Sequence, residues 1–443
     1  MKQFRQYFFI ILLGLTTILF GYNYFYRPFE KKQEVVLEGV SGSAQMVAES
    51  RTPQDILLEL TAEQRILQML AAPVTVGPDF VSVASELVAD DFFNQVPQAT
   101  LAASNTTNAT NSANLRTVTN LLETNSPESF AATSAAVEKT ALEDQVQKFG
   151  FFVLFGKSIT MNQVKQVVGE LHNTTNVLEL KPLIAVDHEG GTVQRLSGEG
   201  FTKLDSWRKI CSLTTTDREE ILKQSAHELK EAGIDIVLAP VLDVGNSQIL
   251  KDRVCSIDSY AIVADRSMDF VTIFSDLGIL PVIKHFPGIG LATKDLHNSY
   301  DYISVLENDV KLYKYIIDQV KHIGVMTAHV GVVSQDRTIP CSVSPYCVSE
   351  LNTAYPEVLV FTDALEMVAA SYDKDNPRVP KDLIQISKEA ILAGNNVLLY
   401  GASVSPEELE NIATALLTEY EQNPKFRALV DQSVLKIIEY KGL

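Results

Sequence analysis

Leu183-Ile184-Ala185-Val186-Asp187-His188-Glu189-Gly190-Gly191 is an apolar run that stops on a carboxylate and then meets two glycines. Four apolar residues without alternation read as a strand buried on both faces, the pattern of a parallel sheet covered by helices. Seven more runs of this kind occur: Ala71–Val76, Phe151–Phe155, Ile236–Ala239, Leu280–Ile283, Gly324–Met326, Val358–Phe361 and Asn396–Leu399. From Phe151 onward they recur every 30 to 50 residues or so, with amphipathic stretches such as Arg218–Ala232 and Asp309–His322 between them. Buried strands alternating with helices imply right-handed crossovers. Eight units suit an α/β fold of the TIM type, a closed (β/α)8 barrel, better than the alternative, an open doubly wound sheet.

Polar residues punctuate these runs at one end. Asp187 ends the third, Asp243 lies just after the fourth, Lys284-His285 end the fifth, His329 follows the sixth and Asp363 the seventh. The C-terminal strand ends of such a barrel are where loops form the pocket, so these residues are the candidates for chemistry. Gly190-Gly191 permits a tight turn after Asp187, with Arg195 eight residues on; a strand-to-helix turn bearing a surface salt bridge explains the same residues equally well. Lys284-His285-Phe286-Pro287-Gly288 puts two polar donors before a Pro-Gly turn, as in a loop entering a polar cleft. Asp295-Leu296-His297 follows in a stretch that reads as mobile; a carboxylate two residues from an imidazole can fix its tautomer and raise its basicity. In Thr362-Asp363-Ala364, one carboxylate at a strand tip can act as a nucleophile.

Composition narrows the classes. The 443 residues are 46% hydrophobic and 21% charged, enough for a sizeable core and unlike a disordered or collagenous chain. With 37 basic and 55 acidic residues the formal charge is −18, which repels phosphate backbones and argues against nucleic acid as a partner. Four cysteines make no staple framework and none has the CxxC zinc spacing. Cys341 and Cys347 flank five residues; free thiols are the expectation, with a small-loop disulfide as the alternative in an exported body, while Cys211 and Cys255 read as core or surface thiols.

Lys2 and Arg5 precede an uncharged run from Gln6 to Tyr26, with Tyr7 at one end and Tyr22, Tyr24 and Tyr26 at the other. Twenty helical residues span roughly 30 Å, a bilayer core, so residues 1–27 read as a signal anchor or transmembrane helix. The rest is then membrane-anchored and extracytoplasmic, at the cell surface or in a periplasm. That body carries 34 basic against 55 acidic residues, a formal −21. Residues 28–50 read as a linker and 51–443 as the barrel, with a helix start at the capping-box spacing of Thr61 and Gln64. An insertion at about 78–145, rich in Ala, Ser, Thr and Asn between 100 and 135, interrupts the barrel after its first strand.

Five passages in order, Asp187-x-Glu-Gly-Gly-x-Val-x-Arg195, Ala239-Pro240-Val241-Leu242-Asp243, Lys284-His285-Phe286-Pro287-Gly288, Asp295-x-His297 and Thr362-Asp363-Ala364-Leu365-x-Met367, resemble glycoside hydrolase family 3. The similarity is to its single-domain β-N-acetylglucosaminidases of the NagZ type, a β-N-acetylhexosaminidase group, and runs from Leu60 to about Gly401. It implies a retaining hydrolase that removes terminal β-linked N-acetylglucosamine from glycans, with peptidoglycan fragments as the expected source. Asp363 would be the nucleophile and His297, oriented by Asp295, the acid/base; Asp187, Arg195, Arg253, Lys284 and His285 would hold sugar hydroxyls. No metal or organic cofactor is implied. Two departures stand out. Arg253-Val254-Cys255-Ser256 replaces the family's Arg-Ser-Phe-Gly, and Ile289 replaces a histidine, which predicts a looser loop around His297. The competing readings are a metal site at His285, Asp295, His297 and His329, a catalytically silent sugar-binding protein, and a β-glucosidase or phosphorylase on the same fold.

Overall fold

The eight apolar runs all become strands of one parallel sheet in the computed structural model, which describes residues 51–76, 149–174, 178, 180–373, 375 and 379–442. The strands are β1 Leu70–Val76, β2 Phe151–Gly156, β3 Leu183–Val186, β4 Ile236–Val237, β5 Leu280–Phe286, β6 Gly324–Thr327, β7 Leu359–Thr362 and β8 Leu398–Leu399. Each pairs with its successor in the chain, from Ala71 opposite Phe151 to Leu359 opposite Gly324. The eighth pairs with the first, Leu70 opposite Leu398. A parallel bridge between Phe361 and Val397, with Leu365 N–H donating to Leu399 O at 3.0 Å, joins β7 to β8. Sequential order with both ends joined is a (β/α)8 barrel, and the doubly wound alternative is excluded.

The barrel is closed from outside by helices at both ends of residues 51–443. Thr61 caps the helix Ala62–Gln68 in the expected box, Gln64 N–H donating to Thr61 Oγ1 at 3.2 Å and Thr61 N–H to Gln64 Oε1 at 2.9 Å. Arg65 in that helix donates to Tyr420 Oη at 2.8 Å and Asp431 Oδ1 at 2.9 Å, tying it to the helices Pro406–Gln422 and Pro424–Tyr440. Lys441 continues the clamp, its Nζ 2.8 Å from Gln68 Oε1 and 3.2 Å from Gly150 O. The stretch Arg218–Ala232 forms the helix Thr215–Glu231, but that at Asp309–His322 stops at Ile317, because the chain must turn back to begin β6 at Gly324.

The cysteine expectation is corrected at both pairs. Cys211 and Cys255 form a disulfide with Cα atoms 5.6 Å apart, as do Cys341 and Cys347 at 5.3 Å. The first pair lies 44 positions apart in the chain, and beside it Arg208, in the helix Trp207–Ser212, donates to Lys251 O at 2.6 Å in the turn before Cys255. The anchor at 1–27, the linker at 28–50 and the insertion at 78–145 lie outside the described residues. Among the described residues, no helix is long and apolar enough to cross a membrane.

Candidate active site

A cavity of about 320 Å³ sits at the C-terminal ends of the strands and is lined by all eight candidate residues: Asp187, Arg195, Arg253, Lys284, His285, Asp295, His297 and Asp363. The strands and the positions directly after them supply four of these, Lys284 and His285 buried, Asp187 and Asp363 half-buried. Lys284 and His285 fall inside β5, and Asp187 and Asp363 directly follow β3 and β7. The remainder come from loops.

After Asp187 the chain forms a two-stranded hairpin, His188–Gly190 against Val193–Gln194, rather than a strand-to-helix turn. Gly190 and Gly191 make the reversal at φ of 93° and 59°, which L side chains rarely adopt. The turn brings Arg195 back to Asp187, Nη2 to Oδ2 at 3.2 Å. Lys284 Nζ donates to the other oxygen, Oδ1, at 2.9 Å and lies 2.6 Å from Glu189 Oε1. Arg253 grips Glu189 with both arms, Nε to Oε2 at 2.7 Å and Nη2 to Oε1 at 2.8 Å. Burial opposes ionisation of Glu189, but Arg253 and Lys284 outweigh it and hold its pKa at about 2. Burial likewise opposes the charge on Lys284, yet Asp187 and Glu189 raise its pKa above the usual lysine value. Arg253 is therefore firmly placed despite its unusual neighbours.

His285 extends the network. Its Nδ1 donates to Asp243 Oδ2 at 2.7 Å, and Arg253 Nη2 points at its Nε2 from 3.4 Å. An arginine only donates, so Nε2 is the accepting nitrogen in this arrangement and the proton sits on Nδ1. Asp187, Glu189 and Asp243 balance Arg195, Arg253 and Lys284 in charge, so the assembly is neutral overall and suits an uncharged polar ligand.

Asp363 stands across from this cluster. Burial would raise its pKa, but the Ala364 amide, 2.8 Å from Oδ1, and the Lys284 ammonium help hold it below the ordinary carboxylate range. His329 itself is fully buried, accepting from Ser342 Oγ at 2.6 Å and donating from Nε2 to Ala364 O at 2.9 Å. Burial lowers its pKa, so it is a neutral prop for the Asp363–Ala364 peptide. Among the described residues, no group of three metal-binding side chains comes together.

Asp295 and His297 form the expected dyad, Nδ1 to Oδ1 at 2.8 Å, on an exposed loop. That loop is better anchored than the Ile289 substitution predicts. Ile289 is buried, its N–H donates to Asp243 Oδ1 at 2.6 Å, and it packs with Leu250, Val254 and Leu296 in a separate apolar cluster. Ala369 N–H also bonds Leu296 O at 3.1 Å, between Asp295 and His297. An apolar anchor replaces a polar one.

Two lining carboxylates escaped the sequence reading of the site. Glu189 is one. The other is Glu366, whose pKa is raised by burial and by Asp363 although the Gly401 amide donates to its Oε2 at 3.0 Å. Its position three residues after Asp363 was the available signal, since one short turn returns it to the same cavity.

A family model described as the glycosyl hydrolase family 3 N terminal domain matches residues 123–439. The chain is similar to a beta-hexosaminidase from Aromatoleum aromaticum, 29% identical over 268 residues that cover 56% of this chain and 71% of that protein. A beta-hexosaminidase from Haemophilus influenzae is 32% identical over 249 residues, 53% of this chain and 68% of its own length. Among solved structures, a beta-N-acetylhexosaminidase from Beutenbergia cavernae shares the fold with a TM-score of 0.63 at 22% identity, covering 87% of this chain and 99% of that one. The family match reaches 38 residues beyond Gly401 and so takes in the closing C-terminal helices. On the span of that match and the barrel beneath it, the chain belongs to glycosyl hydrolase family 3.

Proposed function

We propose that the protein is a retaining β-N-acetylhexosaminidase that releases terminal β-linked N-acetylglucosamine, with peptidoglycan-derived glycans as the source. The observation that carries the reading is one cavity holding both an ionised strand-tip carboxylate, Asp363, and an imidazole with its Nδ1 tied to a carboxylate, His297. Asp295 fixes the proton on Nδ1, so Nε2 is the nitrogen available to exchange a proton with substrate. Asp363 attacks the anomeric carbon while protonated His297 gives its Nε2 proton to the departing oxygen. Neutral His297 then takes a proton from water, whose oxygen displaces Asp363 and releases the sugar. Asp187, Arg195, Arg253, Lys284 and His285 hold hydroxyls, their mutual bonds keeping each group in place before substrate arrives. Glu189 positions Arg253 and Lys284.

Removing the first 50 residues and assaying chromogenic β-GlcNAc and β-glucose substrates, with and without phosphate, tests this. We expect hydrolysis of the GlcNAc substrate with retained configuration and loss of about 10⁴-fold or more in Asp363→Ala. Full activity in that variant sinks the nucleophile, and a glycosyl phosphate product converts the reading to a phosphorylase. We also propose that residues 1–27 anchor the enzyme with its barrel outside the cytoplasm. The uncharged run from Gln6 to Tyr26 and two disulfides in the barrel support this. Recovery of the full chain in the soluble cytoplasmic fraction refutes it.

A further inference from the structure

Four fully buried polar side chains, Thr327, His329, Ser342 and Asn395, lie behind the wall of the catalytic cavity, and none of them lines it. They come from separate segments. Thr327 ends β6 and His329 follows it, Ser342 sits in the short turn Cys341–Val343, and Asn395 comes after the helix Leu383–Ala393. Buried polar groups persist where their hydrogen bonds are made. Here the bonds run from one group to the next and end on the chain around Asp363.

Ser342 is the hub. Ala364 O, on the residue after Asp363, can only accept, so His329 carries its proton on Nε2, 2.9 Å away, and Nδ1 takes its bond from the Ser342 hydroxyl at 2.6 Å. The Ser342 carbonyl accepts from Asn395 Nδ2 at 2.7 Å, and Asn395 Oδ1 accepts from Thr327 Oγ1 at 3.0 Å. Thr327 O in turn accepts the Asp363 N–H at 3.0 Å, while Ser342 N–H donates to Ala328 O at 3.1 Å. Two routes thus join one serine to the chain on either side of Asp363, and all of that serine's polar groups are committed. A covalent bond holds it as well. Cys341, directly before it, is bonded to Cys347 in the first turn of the helix Pro345–Ala354, closing the chain on itself across 6 positions. Both cysteines are 1% exposed, which makes the bridge a sealed lock and not a surface switch.

We propose that Ser342, fastened by the Cys341–Cys347 disulfide, is a positioning residue for Asp363, which it holds through His329 on one side and through Asn395 and Thr327 on the other. The inference rests on the reading of Asp363 as the nucleophile. Removing the Ser342 hydroxyl leaves His329 Nδ1 buried without a donor. The ring can then carry its proton on Nδ1, and the Ala364 carbonyl loses its partner. An attacking oxygen that shifts by a fraction of an ångström loses its alignment with the anomeric carbon. The groups that grip the sugar, Asp187, Arg195, Lys284 and His285, belong to other segments and stay in place. The signature is therefore slower turnover with sugar binding intact.

Four full-length variants test it: Ser342→Ala, His329→Gln, the two combined, and the pair Cys341→Ser with Cys347→Ser. Each is assayed below its melting temperature on a chromogenic β-GlcNAc substrate, with free N-acetylglucosamine as competitor. Ser342→Ala is expected to lower kcat about tenfold, the kinetic equivalent of one hydrogen bond, with the inhibition constant of N-acetylglucosamine within about twofold of wild type. Because the hydroxyl acts through His329, adding Ser342→Ala to His329→Gln is expected to lower kcat by no more than about twofold further. The cysteine pair is expected to lower kcat severalfold, again with sugar binding unchanged. Wild-type turnover in Ser342→Ala, a parallel loss of turnover and sugar binding, or losses that multiply in the combined variant overturn the proposal. If Ser342→Ala does not fold, the cysteine pair decides on the same two readouts. A wild type that cleaves no β-glycoside, or full activity in Asp363→Ala, overturns the glycosidase reading instead.

Discussion

Replacing Glu189 by glutamine keeps the shape of the site and removes one of its enclosed negative charges. The Glu189 side chain is 1% exposed, with Lys284 at 3% and Arg253 at 19%, so little solvent screens the loss. In the folded protein Arg253 and Lys284 depress the pKa of Glu189 from 4.5 to about 2. At about 1.4 kcal/mol for each tenfold difference, the ionised carboxylate contributes about 3 kcal/mol at pH 7. The sign follows from the depressed folded value. The contribution is complete above the unfolded value near 4.5 and fades as pH falls toward 2, leaving roughly 2 kcal/mol at pH 3.5. Urea unfolding of wild type and Glu189→Gln at pH 7 and pH 3.5 measures both numbers. We expect a difference of about 3 kcal/mol that shrinks by about a third at the lower pH. A loss below about 1 kcal/mol at pH 7, or one that does not change with pH, refutes the claim that this charge network is a net stabiliser.

Other perturbations separate further parts of the structure. A Cβ at Gly401 would overlap the Glu366 carboxylate, so Gly401→Ala should displace Glu366 and reduce kcat/KM on the order of tenfold or more with little change in melting temperature; unaltered kinetics would remove Glu366 from the site. From loop closure, losing the Cys211–Cys255 disulfide, which spans 44 residues, should cost about 4 kcal/mol and losing Cys341–Cys347, which spans 6, about 2. Denaturation of the two paired serine variants checks the ranking, and the reverse order contradicts it. Burial lowers the pKa of Lys441 to about 7, so the unfolded chain binds its proton more tightly than the folded one above that pH. Stability should then rise by about 2 kcal/mol from pH 7 to pH 9, and Lys441→Met should abolish the rise; a wild-type curve that is flat or falling over this range rules it out.

The sequence is legible where a physical requirement leaves a local trace. A strand covered on both faces must be continuously apolar, so all eight strands stand out, even Ile236–Val237 and Leu398–Leu399 at two residues each. Asp187, Lys284, His285 and Asp363 stand out because each interrupts or ends such a run. What the chain hides is pairing at a distance. Nothing near Glu189 announces Arg253 and Lys284, and nothing near Cys211 announces Cys255. His329 reads as a reactive histidine at a strand end, but Ser342 and the Ala364 carbonyl use both its nitrogens and make it a support. The loop of His297 reads as loose because its polar anchor is missing, whereas the buried Ile289 and Leu296 supply an apolar one.

Closure of the barrel by its last strand has a consequence for how the protein is made. During synthesis β1 emerges early, yet Leu70 and Ala71 must wait for Leu398 and Leu399, more than 300 residues later, before that edge is covered. The helix carrying Arg65 waits longer still for Asp431. A nascent chain can assemble the run from β2 to β7 in order, but it leaves the ribosome with an open apolar seam that only the final segment seals. Truncation near residue 395 should therefore yield an aggregating product, so that the quality of the fold is decided at the end of translation.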